Sequence, residues 1–326
     1  MNDLIFTDAS YTEVGVIQRY TLDMAFGADE NDFELKTGAD MLLQPGALVY
    51  VEGTEWGGIV DSVQVDETGD VPEVTHRGRT WHGILAGKVV CPDSGASHYT
   101  YDCDANALLA AIVERCGLGA VFEAPSTEAG AISGRFDRYC DAYSGLKKAL
   151  AANGLRLGIE RVPAGKTLLS AVPVRDYSEE MYSDQMAMDV TLDYRPVNHL
   201  VCLGAGELEA REVVHLYADA EGNVSTEQSI FGADERTEVY DYSGSDSLAE
   251  DGAKKLSEMQ GDGSEIDLDL SDGGGYCIGD TIGCTSVTTG IAVTATVNKI
   301  IVKVGEDLVP IVSYEVGSLT ADAKDY

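Results

Sequence analysis

A chain of 326 residues, 44% of them apolar, is long enough for about two domains and carries enough nonpolar material to bury real cores. It contains no run of about 18 apolar residues, so no membrane-spanning helix is predicted. Its 56 acids against 22 bases give a net charge of −34 and leave no basic patch to neutralise phosphates, which excludes tight or sequence-reading nucleic-acid binding.

The acid is uneven. Residues 1–90 carry 16 acids and 5 bases, residues 91–190 carry 14 and 9, and residues 191–326 carry 26 and 8. The net values are therefore −11, −5 and −18. The N-terminal stretch MNDLIFTDASYTEVG has neither a basic flank nor an apolar core, so no secretory signal is expected. Seven cysteines at scattered spacings fit synthesis in a reducing host cytoplasm, although Cys91 and Cys103 could close a loop.

In chain order, residues 1–95 read as a β-domain. The segments ALVYVEG, GGIVDSVQVD and PEVTHRG are short, rich in Val and Ile, and punctuated by Gly, Pro and Asp turns. The Gly57-Gly58 pair suits a tight bend at a barrel corner. Residues 96–188 read as a compact α/β insert. There Asp104 caps a helix with Leu108, Leu109, Ile112, Val113 and Cys116 on one face, closed by Gly117. A second helix is predicted to begin at Ser144, run through Leu146, Ala149 and Leu150, and stop at Asn153-Gly154. LRLGIERV and TLLSAVPV then form a hairpin about Pro163–Lys166. Residues 189–326 return to strands, with one helix near 247–260. Ser247 and Glu250 stand at capping-box spacing there, and Leu248, Gly252 and Leu256 share a face.

The last stretch, TGIAVTATVNKIIVKVGEDLVPIVSYEVG, is a hairpin. Ile291, Val293, Ala295 and Val297 alternate, the phase slips, and Ile300, Val302 and Val304 carry it to a Gly305-Glu306-Asp307 turn. A second strand follows through Leu308, Val312, Tyr314 and Val316.

Motifs for chemistry fail on their spacing. Gly165-Lys166-Thr167 lacks the earlier glycine of a phosphate loop and has Glu160 in its place. Gly204–Glu209 puts a glutamate where a dinucleotide fingerprint needs its third glycine. Asp267, Asp269 and Asp272 precede three glycines without the closing glutamate of a calcium loop. His76, His82, His98, His199 and His215 are not paired at ligand spacing, and no HExxH, CxxC or GxSxG occurs. Trp56 and Trp81 read as core anchors. No catalytic, cofactor-binding or metal-ligating residue is predicted, and the chain is not expected to be an enzyme.

Two stretches carry a family resemblance. EWGGIVDSVQVD with HRGRTWHGILAGKVVCPDSG resembles the first barrel of siphophage and prophage tail-hub (tail-tip baseplate hub, "Gp-37-like") proteins through Gly78, Arg79, Leu85, Lys88 and Pro92. In that pattern Gly78-Arg79 opens a turn reaching Leu85, followed by a basic-apolar strand ending at Pro92. The stretch 275–317 is similar to the closing module of the same family through Tyr276, Gly279, Asp280, Thr289, Gly290, Ile291, Tyr314 and Gly317. NHLVCLGAGELEAREVVHLYAD is similar to the strand pair opening the second barrel.

The resemblance implies a mainly β chain with an α+β insert, in which two tail-tube-like β-barrel domains flank a small α/β domain. It implies a homotrimer forming a pseudo-six-fold ring at the virion tail tip, in contact with distal tail, tape-measure and tip or fibre proteins, through which DNA passes without sticking. With no long extension after Tyr326, a fused lysin or receptor-binding module is not expected. The competing readings are a β-rich carbohydrate-binding surface protein, which would need an export signal and an aromatic platform, and a cell-wall hydrolase, which would need a nucleophile or metal motif.

Overall fold

The computed structural model describes residues 3–28, 30–68, 72–177, 188–191, 196–220, 222–243, 247–260, 265–268, 275–285, 287–288 and 292–316. The chain divides into two compact units, one of residues 1–187 with 268–316 and one built mainly from residues 188–267.

The first unit opens with β1 (Leu4–Thr7), β2 (Glu13–Ile17), β3 (Tyr20–Phe26), β4 (Asp32–Gly38), β5 (Leu48–Tyr50), β6 (Gly57–Asp66) and β7 (Glu73–Thr80). It continues with α1 (Trp81–Ala86), β8 (Thr100–Asp104), α2 (Ala105–Arg115), β9 (Phe122–Glu123), β10 (Ala131–Arg135), α3 (Ala142–Ala151), β11 (Leu155–Arg161), β12 (Thr167–Pro173) and β13 (Asp176–Tyr177). After the second unit, built from β14 (Met188–Thr191), β15 (His199–Leu203), β16 (Val213–Ala218), β17 (Val224–Ser225), β18 (Thr237–Asp241), α4 (Leu248–Met259) and β19 (Glu265–Leu268), the chain closes with β20 (Thr281–Thr285), β21 (Ala292–Val304) and β22 (Pro310–Val316).

The large sheet runs in the order β13-β20-β21-β3-β4-β7-β6-β5-β1-β2, with β22 added on β21. The expected barrels are therefore corrected: among the described residues this sheet ends in unpaired edges and does not close. β21 pairs with β3 from Ile300↔Phe26 to Val304↔Leu22, so the closing hairpin completes the N-terminal sheet. Strand alternation supplies the buried face: in β4, Phe33, Leu35 and Thr37 are buried while Asp32, Glu34 and Lys36 point the other way.

The phase slip read in the closing hairpin is a β-bulge. The β21–β22 register shifts between Val297 and Lys299. Gly27, at φ +136, accommodates it, because a Cβ there would stand 2.1 Å from the Asn298 carbonyl oxygen. Leu308 belongs to the turn (φ 57), and the second strand begins two residues later, at Pro310.

Three helices of this unit surround one core. Asp104 caps α2 by accepting from the N–H groups of Asn106 and Ala107, and it also accepts from Ala129 and Gly130, which ties the following loop to the cap. Gly117 takes the left-handed conformation after the last turn (φ +67). Helix α3 starts at Ala142, two residues ahead of the expected start at Ser144, and is capped by the Asp141 carboxylate on the Ser144 N–H. The α1 helix was not anticipated; Gly83 and Gly87 and its six-residue length conceal it in sequence. Its Trp81 and Leu85 are wholly buried with Leu108, Leu109, Ile112, Leu146 and Phe122, each contributing about 1.5–3 kcal/mol of burial. Cys91 and Cys103 are free thiols.

In the second unit β17-β16-β15-β18 form a sheet with α4 on one face. Leu248, Leu256 and Met259 pack on Leu200, Cys202, Leu216 and Ala218. Gly252 is obligatory at that contact, since a Cβ would stand 2.4 Å from the Cys202 sulfur. Ser247 is the N-cap of α4, but its side chain makes no cap hydrogen bond, so the capping-box reading is not realised.

Gly78 faces the centre of the sheet, opposite Val60 and Phe33. A Cβ there would lie 1.9 Å from the Ile59 carbonyl oxygen. Gly78→Ala should lower stability by about 1–3 kcal/mol or more, read as a drop in the denaturant midpoint; an unmoved midpoint would contradict this packing.

Candidate functional site

The residues singled out by sequence fall into two groups. Arg79 leaves β7 and grips the Asp61 carboxylate with Nε and Nη2, both at 2.8 Å. Its stem lies over α1, where a Cβ on Gly83 would meet the Arg79 Cβ at 3.0 Å. Leu85 is fully buried in α1, so the stretch from Gly78 to Leu85 is a strand end and a helix, not the expected turn. Lys88 accepts the Ala142 N–H at its carbonyl, Val89 makes one isolated bridge to Asp141, and Pro92 is half-buried; the expected strand is reduced to that bridge.

Tyr276, Gly279, Asp280 and Tyr314 come together. The Asp280 carboxylate is fully buried, and Oδ1 accepts from Arg156 Nε at 2.8 Å and from the Arg175 N–H at 3.0 Å. Oδ2 accepts from the Cys277 N–H at 3.0 Å. The Asp280 backbone is bound as well, with its carbonyl accepting the Val297 N–H. One residue thereby joins β11, the segment before β13, the 277–280 turn and β21. Gly279 makes the turn at φ +93, and a Cβ there would press on Arg156 Cβ at 3.0 Å. The Tyr276 ring stands edge-on to Tyr177 at 5.2 Å and to Tyr314 at 5.5 Å. Thr289, Gly290, Ile291 and Gly317 lie outside the described residues, as do Asp269 and Asp272.

Beside this junction is a pair that sequence reading passed over. Burial pushes the Glu55 carboxyl up to about 7, opposed by Arg156 and reinforced by Asp280. Glu55 Oε2 stands 3.8 Å from His82 Nε2. Burial, with help from Lys147, pushes His82 down to about 3, so it is neutral; its ring stacks on Phe26 at 4.7 Å and meets the edge of Tyr143 at 5.3 Å. His76 is likewise buried and uses Nε2 to accept the Leu43 N–H.

Among the described residues no group of three or more His, Cys, Asp or Glu side chains is placed to hold a metal ion. No described helix is long and apolar enough to cross a membrane. What the first unit presents outward is charge and edge. On the β21-β3-β4-β7 face, Arg77 binds Glu34, Lys36 lies 3.1 Å from Glu73, Lys303 lies 3.2 Å from Asp23, and Lys299 lies 2.6 Å from Glu30. A hollow of about 350 Å³ opens between Asp23, Glu30, Asp32, Glu34 and Lys303. Apolar side chains stand in solvent on the terminal strand β2, at Val14 and Val16, and at β22, the strand added on β21, at Val309 and Ile311. Unpaired strand edges of this kind are templates for pairing with another chain.

No family model and no curated protein matches this sequence. Solved structures do match, over nearly the whole chain. The 43 kDa tail protein of prophage MuSo2 from Shewanella oneidensis is 10% identical with a TM-score of 0.57, covering 97% of this chain and 98% of that one. A tail protein from Neisseria meningitidis MC58 is 14% identical with a TM-score of 0.52, covering 98% of both. The phage P2 baseplate in its activated conformation with Ca gives a chain 11% identical, TM-score 0.50, with 99% and 100% covered. At these identities the likeness is one of fold, and that fold is found in phage tail and baseplate proteins.

Removing the Asp280 carboxylate strands Arg156 in a largely dry site. Asp280→Ala should cost about 3–5 kcal/mol in chemical denaturation. Glu55 makes a pH prediction with a definite sign. Its folded-state affinity for a proton exceeds its ordinary value of 4.5, so the folded chain holds a proton that the unfolded chain releases as pH rises from about 4.5 to about 7. Its contribution to stability therefore falls across that window. His82 acts oppositely between about 3 and 6.5, so the quantity to measure is the difference between Glu55→Gln and wild type. That difference should move in favour of the variant from pH 4.5 to 7; a flat difference would overturn the assignment.

Proposed function

We propose that the chain is a structural protein of a phage tail, forming a trimeric ring at the hub where the tube meets the tip. The observation that carries this reading is the full-length likeness of fold to tail and baseplate proteins, three of them matched over at least 97% of this chain. Its surface fits the role. Among the described residues the large sheet is open, with apolar side chains on its terminal strand β2 and at β22, the strand added on β21. Strand edges are satisfied when neighbouring copies or other tail proteins pair with them, so closure belongs to the assembly.

The charge distribution supports the same reading. The strand-rich first and last blocks carry −11 and −18. Negative charge within about 8–10 Å of a phosphate repels it at ordinary ionic strength, which suits a bore through which DNA and a tape-measure protein pass without adhering. Distal tail, tape-measure and tip or fibre proteins are the partners this role requires, and the virion tail tip is its place. The motif residues Gly78, Arg79, Leu85, Pro92, Tyr276, Gly279, Asp280 and Tyr314 then serve to shape the ring segment, with Gly290 and Gly317 assigned the same role by the family pattern.

Electron microscopy of the purified chain tests the proposal. Three-fold particles with an open centre are expected, and they should leave duplex DNA unshifted on a gel. Ile311→Lys, at an exposed edge position, should abolish those particles while changing unfolding stability by less than about 0.5 kcal/mol. A chain that stays monomeric at every concentration, or rings unaffected by the edge variant, would count against the edge-paired ring.

A further inference from the structure

The second unit contains a histidine pair that its spacing in sequence conceals. His199 on β15 and His215 on β16 are 16 residues apart, and the antiparallel register pairs His199 with Tyr217 and Val201 with His215. The two imidazoles are thus diagonal neighbours on the sheet face opposite α4, within reach of one another. His199 Nε2 and His215 Nδ1 face each other at 2.9 Å. The other nitrogen of His199, Nδ1, lies 2.7 Å from Glu235 Oε1 and 3.1 Å from Thr237 Oγ1. Its ring stacks on Tyr217 at 4.4 Å, which fixes its plane.

Chemistry follows from the partners. An ionised carboxylate only accepts, so Glu235 places the His199 proton on Nδ1 and leaves Nε2 with its lone pair. That lone pair meets His215 Nδ1, and the solvent-exposed His215 can carry its own proton on the outer nitrogen Nε2 instead. Two nitrogens bound to one late first-row cation at about 2.0–2.1 Å stand about 2.9–3.4 Å apart for angles between square and tetrahedral. The observed separation is already at the lower end of that range. A carboxylate on the far nitrogen of a ligating histidine is the usual outer support of such a site.

We propose that His199 and His215 form a two-imidazole site for a divalent cation of the nickel, copper or zinc class, with Glu235 as the positioning residue. Imidazole suits these metals, and the −34 charge of the chain raises their local concentration. Water, or a donor from another tail protein, completes the coordination. Binding moves the His215 proton from Nδ1 to Nε2, so neutral rings take up the metal with no net proton release.

The test is calorimetric titration of the full chain with nickel(II) chloride, chosen because thiols compete less for it than for zinc, together with thermal unfolding. The wild type should bind one nickel ion per chain and gain thermal stability from it. His215→Ala, at an exposed position, should fold normally by circular dichroism and lose both effects; His199→Ala should lose them too. Glu235→Gln should weaken binding by about 10–100-fold while retaining the stoichiometry. Cys91→Ser, which removes an exposed thiol, should bind as wild type. No nickel binding by the wild type, or binding that survives in His215→Ala, overturns the site and leaves the pair as an ordinary inter-strand hydrogen bond.

Discussion

The first unit depends on one buried carboxylate. Asp280 is shielded from water and is held by a guanidinium and two backbone N–H groups, from segments far apart in the chain; Arg156 alone is 124 residues away. A buried charge is tolerable only when its hydrogen-bonding capacity is met, so the four segments that meet it are specified together. The insert strand β11, the approach to β13 and the closing strands β20 and β21 cannot drift apart without exposing an unpaired ion. The tyrosines at 177, 276 and 314 pack around the same junction. Glu55 and His82 sit in its dry surroundings, which is why neither holds its ordinary affinity for protons.

That junction makes the closing hairpin part of the N-terminal sheet. A sheet completed by its own C-terminus is still open among the described residues, and exposed apolar side chains stand on its terminal strand β2 and at β22, the strand added on β21. The charged face between them is laced with ion pairs worth little individually in water. Among the described residues no group of three or more His, Cys, Asp or Glu side chains is placed to hold a metal ion, and the fold is one found in tail and baseplate proteins.

Local pattern was legible wherever one residue type has one local job. Asp104 and Gly117 bounded α2, Gly154 closed α3, the segment GGIVDSVQVD was β6 to the residue, and the slip after Val297 was a bulge. The start of α3 was read at Ser144, although Asp141 is the better acceptor for the Ser144 N–H. Helix α1 escaped because two glycines and a single turn and a half leave no period to detect. The motif residues Tyr276, Gly279, Asp280 and Tyr314 were named from resemblance, but Arg156, Arg175 and Glu55, which meet them, carry no signal in a linear reading. The histidines at 199 and 215 were set aside as unpaired for the same reason.

Composition, charge and periodicity by themselves determined that the chain is β-rich, acidic and built around two helices in its middle, because burial and capping act on neighbours a few residues apart. The tertiary structure alone decided that the last strands join the first sheet, that the sheet stays open among the described residues, and that a single carboxylate gathers four segments. Those outcomes rest on pairings across more than a hundred residues, where register is chosen by matching whole faces and satisfying buried charge, and no local pattern encodes which partner will supply the match.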